Sequence, residues 1–277
     1  MTLLLLAFFL VAQLIGLNII SQYVNIQQTA ETGETVVYQD QYLVQPPEVQ
    51  NESFSWVLIL AAVLIGTALI LILMKFKLVR FWKLWFAASV FVALLIALHP
   101  YANKLAASFG SQTYGLIIAL SVVALLTYKK IWHPDPLTHN ITEILMYGGI
   151  AALFVPILNI TSGIILLIAI AIYDAYAVWK SKHMVKMAEF QMDAKVFAGL
   201  SLPYSLSNMF SSEKRMQKPR KQVTPKKTRP SKSAILGGGD IAFPMLFAGA
   251  VLKQTANYGI AYGVIIGAMA GLALLLF

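Results

Sequence analysis

Eight nearly unbroken apolar stretches divide this chain, near 2–22, 55–75, 81–99, 112–129, 142–158, 160–180, 234–252 and 256–277, separated by polar, charged or proline-bearing connections. A helix needs about 20 mainly apolar residues to cross a bilayer, and each stretch comes close to that length. The pattern predicts an all-α membrane protein, a polytopic bundle with about eight transmembrane helices. The first stretch starts at Met1 without a basic leader and lacks an A-x-A-like cleavage site. It also exceeds a signal-peptide core in length, so it is read as a retained first helix. No repeat of fixed period and no separate soluble domain is visible.

Composition agrees with this. Of 277 residues, 58% are apolar and 12% charged, against about 45–50% and about 25% in soluble domains. A water-soluble enzyme is therefore not expected. Cysteine is absent, which excludes disulfides, thiolate metal sites and a cysteine nucleophile.

The charges sort by side. Of the 21 Lys and Arg, 19 fall in alternate connections, at 75–83, 129–130 and 180–232, and only Lys104 and Lys253 lie on the other side. The positive-inside rule puts those connections, and with them the N-terminus, in the cytoplasm. The 23–54 connection carries five acids and no Lys or Arg, so it belongs outside. Three parts follow: 1–186 with helices one to six, a basic flexible cytoplasmic loop over 187–232, and 233–277 with the last two helices. The loop's second half, Lys214 to Lys232, is rich in Pro, Ser and Thr and reads as a mobile linker. With a net charge of +9, its expected partner is anionic lipid head groups rather than nucleic acid.

Ten of the twelve acids sit in connections or near an interface, Glu143 at the start of helix five among them. Asp174, in IAIAIYDAYAVW, and Asp240, in AILGGGDIAFPMLF, do not. An acid within a membrane helix costs about 2.5–3.5 kcal/mol, which makes it a functional candidate by default. Counted from Lys180 and Lys232, each carboxylate lies roughly 9–12 Å inside the cytoplasmic edge. Consecutive antiparallel helices usually pack as neighbours, so the two acids are expected to face each other. Paired carboxylates in low dielectric hold one proton between them. One can then act as general base on water and the other as general acid, the chemistry of an aspartic-protease dyad, which needs no cofactor or metal. Gly237, Gly238 and Gly239 weaken helix and allow an unwound, closely approached backbone beside Asp240. Pro244 adds a kink. Tyr173 and Tyr176 flank Asp174, read as packing residues or as donors to it. Tyr173 and the three glycines are thus the candidate cavity-shaping residues.

Tyr173-Asp174 on the sixth stretch and Gly237-Gly238-Gly239-Asp240 on the seventh resemble the YD and G-x-G-D signatures of the presenilin and signal peptide peptidase family. The resemblance covers essentially the whole chain. It implies an intramembrane aspartyl protease with Asp174 and Asp240 catalytic, acting on transmembrane segments of other proteins. The basic loop between the signatures resembles the presenilin orientation, and the compact connections resemble an archaeal homologue in a cell membrane. The family has nine helices and a Pro-Ala-Leu motif on the last; this chain has eight stretches and no Pro-Ala-Leu.

Other readings are weaker. Neither H-E-x-x-H nor G-x-S-x-G occurs, against metallo- and serine hydrolases. His133, Asp135 and His139 are close in sequence but are expected to be solvated rather than metal ligands. A prepilin-peptidase-type protease shares G-x-G-D but has fewer helices. A proton-coupled carrier would also use membrane acids, though no inverted repeat is evident.

Overall fold

The computed structural model describes residues 2–39, 43–47, 49, 51–110, 113–179, 187, 190–191, 194, 196–203 and 233–276. Helix α1 (Thr2–Ile20) and a short α2 (Ile26–Thr32) are followed by α3 (Ser55–Lys75), α4 (Val79–Ser108), α5 (Thr113–Trp132), α6 (Pro136–Phe154) and α7 (Ile160–Trp179). Strands β1 (Gly199–Pro203) and β2 (Ser233–Gly237) precede α8 (Gly238–Thr255) and α9 (Tyr258–Leu276). Every predicted apolar stretch carries a long helix. Seven of these helices, all but α8, are long and apolar enough to cross a membrane. The 18 residues of α8 include Asp240 and Lys253, which lower its mean hydropathy.

Three boundaries differ most from the sequence reading, and the first is the start of α6, at Pro136 and not near 142. Helix α4 runs on through Pro100 to Ser108, nine residues beyond the predicted end. Proline has no N–H to offer the carbonyl four residues back, which here is Ile96. The Tyr23 hydroxyl donates to that carbonyl at 2.5 Å, so the break is healed from a neighbouring segment. The seventh stretch is not helical from its start: Ser233–Gly237 is a strand, and the helix begins at Gly238. Ala234, Ile235 and Leu236 look like helix continuation by hydropathy, but their backbone pairs with β1 instead.

The bundle is built around α6, which packs on α1, α4 and α8. It is also the most buried of the seven membrane-length helices, at 72% of its span. At one end, Lys253 of α8 donates to Thr35 at 2.8 Å, to Glu52 at 2.9 Å and to the Pro156 carbonyl at 2.9 Å. Ser55 to Ser162 (3.1 Å) and Asn159 to Ser53 (3.1 Å) join the same end. The predicted outer connections thus meet each other. At the opposite end, Ala194 and Val196 pack with Leu73, Trp82 and Ile131. That end holds the two-stranded sheet. Of the sheet, β1 falls in the 187–232 span read as a loop and β2 just after it; Lys214–Lys232 lies outside the described residues.

Candidate active site

Strands β1 and β2 pair antiparallel, with Gly199 opposite Gly237 and Ser201 opposite Ile235. The outward backbone groups of Gly199 and Ser201 on β1 are taken by α6. Asn140 donates to the Ser201 carbonyl at 2.9 Å and accepts from its N–H at 3.0 Å, so a side-chain amide stands in for a neighbouring strand. One step along that edge, the Gly199 N–H donates to Glu143 at 3.0 Å, and its carbonyl meets His139 Nε2 at 2.9 Å. His139, expected to be solvated, therefore sits against the sheet on the first turn of α6. Asp135 caps that helix by accepting from the Thr138 N–H at 2.9 Å. Among the described residues no group of three or more His, Asp or Glu converges as a metal site.

β2 leads directly into Asp240. Gly237 is the N-cap of α8, and Asp240 is its third residue. The carboxylate turns back toward the cap residue: a Cβ on Gly237 would stand 3.2 Å from an Asp240 oxygen. This is half of a capping box, with an acid at N3 closing on the cap residue. It also places a carboxylate at the positive end of the helix dipole. Because the helix starts at Gly238 and not at 234, Asp240 stands in its first turn. Asp174 lies five residues before the end of α7, and α7 packs against α8. The fold therefore puts the two candidate acids on neighbouring helices. Asp174 is half-buried and Asp240 is exposed, so both can be reached by water-sized species.

The remaining candidates divide by role. Tyr173 donates to Thr67 on α3 at 3.0 Å, tying the Asp174 helix to its neighbour. Gly238 lies against Tyr147 of α6: a Cβ there would stand 2.4 Å from the Tyr147 hydroxyl. Gly239 has more room, with its nearest neighbour, Phe243, 3.5 Å from an added Cβ. From α1, Gln13 donates to the Ile241 carbonyl at 2.9 Å and so grips α8 one residue past the acid.

The residue that sequence reasoning did not single out is Glu143. Its side chain is fully buried and paired with Lys130 of α5, and it accepts from Tyr147 as well as from Gly199. The only sequence signals were a Glu–Tyr pair four residues apart and a lysine 13 residues upstream.

A family model described as signal-peptide peptidase, presenilin aspartyl protease matches residues 8–277. Two solved structures of a presenilin family intramembrane aspartate protease, in space groups C222 and P2, share the fold. The first has a TM-score of 0.60 at 18% identity, covering 98% of this chain and 86% of that one. For the second the values are 0.61, 18%, 98% and 85%. A comparison with curated proteins finds no match.

Proposed function

This chain belongs to the signal-peptide peptidase and presenilin aspartyl protease family, and on that premise we propose that Asp174 and Asp240 are its two catalytic carboxylates. The protein is an intramembrane aspartyl protease, an aspartic endopeptidase built as a multi-pass helical membrane protein. The observation that carries the assignment is the packing of α7, with Asp174 near its end, against α8, with Asp240 in its first turn. Carboxylates so placed hold one proton between them. The ionised partner takes a proton from water, and the protonated one donates to the scissile carbonyl oxygen as the tetrahedral carbon forms. Their titration belongs to the pair, so neither role is fixed to one residue.

The substrates are transmembrane segments of other proteins, and the scissile bond must leave its helix, because intrahelical hydrogen bonds shield the carbonyl. The sheet offers a way to hold it extended. Since α6 takes the outward groups of Gly199 and Ser201, the edge without a partner among the described residues is that of β2. In an antiparallel pair, residues opposite an outward-facing one also face outward. Ile235 therefore turns its N–H and carbonyl to the free side, five residues before Asp240. An extended peptide added there would run toward the dyad by β-augmentation.

The basic connections support a cytoplasmic N-terminus and catalytic end, with anionic lipid head groups at the 187–232 segment. The compact connections support a cell membrane of archaeal type. Asp174→Asn and Asp240→Asn, each in the full chain in liposomes, should abolish cleavage of a single-helix model substrate at unchanged melting temperature. Cleavage retained by either variant removes the dyad. Proton flux in the same liposomes separates the carrier alternative, which requires flux that both substitutions stop.

A further inference from the structure

Four buried groups at the foot of the sheet form a chain that ends at the candidate dyad. Lys130 of α5 donates to Glu143 of α6, whose side chains are 1% and 0% exposed. The other Glu143 oxygen accepts from the Tyr147 hydroxyl and from the Gly199 N–H, the latter at 3.0 Å. Nε2 of His139 lies 4.0 Å from the first oxygen. A buried carboxylate is costly unless fully paired, and this one is.

Both branches from Glu143 lead to Asp240. Through Gly199 it holds the residue directly opposite Gly237 in the sheet register, and Gly237 lies against the Asp240 carboxylate, an oxygen of which would stand 3.2 Å from an added Cβ. Gly199 has φ of +146°, a backbone conformation L side chains rarely adopt, so this end of β1 keeps its shape only as glycine held from outside. Through Tyr147, Glu143 holds a hydroxyl against the Cα of Gly238, two residues before Asp240. One carboxylate thus braces the strand side and the helix side of the turn that presents the acid.

We propose that Glu143 is a positioning residue for the protease reaction, fixing Asp240 through the Gly199–Gly237 pair and through Tyr147 on Gly238. The inference rests on the dyad reading. Displacement of a reacting group by about 1 Å can cost 100-fold in rate, and loss of a supporting contact typically costs about 10- to 100-fold. Because Glu143 touches no substrate, its loss falls on kcat and leaves KM in place.

The test measures kcat and KM for a single-helix substrate with Glu143→Gln, Tyr147→Phe and their combination, per mole of monodisperse folded full-length protein. Tyr147→Phe removes one oxygen atom, and it decides the matter alone if Glu143→Gln does not fold. The expected result is a kcat reduced about 10-fold in Tyr147→Phe and on the order of 10- to 100-fold in Glu143→Gln, with KM within about twofold of wild type. The double variant should be no slower than Glu143→Gln, because both act through one chain of contacts. A wild-type kcat in Tyr147→Phe, an effect confined to KM, or multiplying effects in the double variant would overturn the proposal. Asp240→Asn is run alongside. If that variant still cleaves, the dyad reading fails and takes this inference with it. If it is dead while Glu143→Gln and Tyr147→Phe keep wild-type kcat, only the inference fails.

Discussion

Gly238 has no side chain because Tyr147 leaves no room for one. An added Cβ would meet the Tyr147 hydroxyl at 2.4 Å and ring carbons at 3.1 and 3.2 Å. Tyr147 is held by Glu143 and is 4% exposed, so it cannot swing away cheaply. Gly238→Ala should therefore destabilise the fold by about 1–3 kcal/mol through overpacking and slow cleavage. Gly239→Ala, with 3.5 Å to its nearest neighbour, should leave melting temperature and cleavage near wild type. Thermal unfolding and a cleavage assay on the two variants check this contrast. Both glycines look alike in sequence; contact with α6 separates them. Asp174 and Asp240 were legible as candidates because each is an acid with apolar flanks on both sides. Glu143 was not, since its place near the start of a helix suggested an interface. Two of its partners, Lys130 and Gly199, lie 13 and 56 residues away in the chain.

Helices follow hydropathy closely where backbone pairing stays within the helix, and depart from it where a distant partner intervenes. Pro100 signalled a helix end, yet Tyr23 supplies the missing donor and α4 continues. Residues 234–236 signalled helix, yet β1 draws them into a sheet. The sheet in turn depends on α6, because a two-stranded ribbon is marginal alone. Asn140 is the clearest single support, giving and accepting one hydrogen bond at Ser201. Asn140→Ala should leave both Ser201 groups without that partner and cost about 1–3 kcal/mol. Hydrogen exchange should show faster exchange at the Ser201 amide, with the exchange of α4 and α5 unchanged.

Sidedness is a property of the whole molecule. The fold gathers Thr35, Glu52, Pro156 and Lys253 at one end, and Lys130, Glu143 and the sheet at the other, the division that the alternating basic connections predict. Because the chain has no cysteine, single exposed cysteines report topology cleanly. Glu34→Cys should react with an impermeant thiol reagent added outside intact cells, and Lys75→Cys only after permeabilisation; the reverse pattern would invert the orientation. The sequence by itself determined the helical membrane class, the number of long helices, the sorting of connections into two ends and the two acids. Each of these is local: burial in lipid demands about 20 apolar residues, and a charge there stands out against its flanks. Tertiary structure alone decided that the segment before Asp240 is a strand, that α6 holds the outward groups of Gly199 and Ser201, and that Glu143 is buried between Lys130, Tyr147 and Gly199. Those outcomes depend on hydrogen bonds between segments far apart in the chain, and hydropathy carries no record of which partner a backbone group will find.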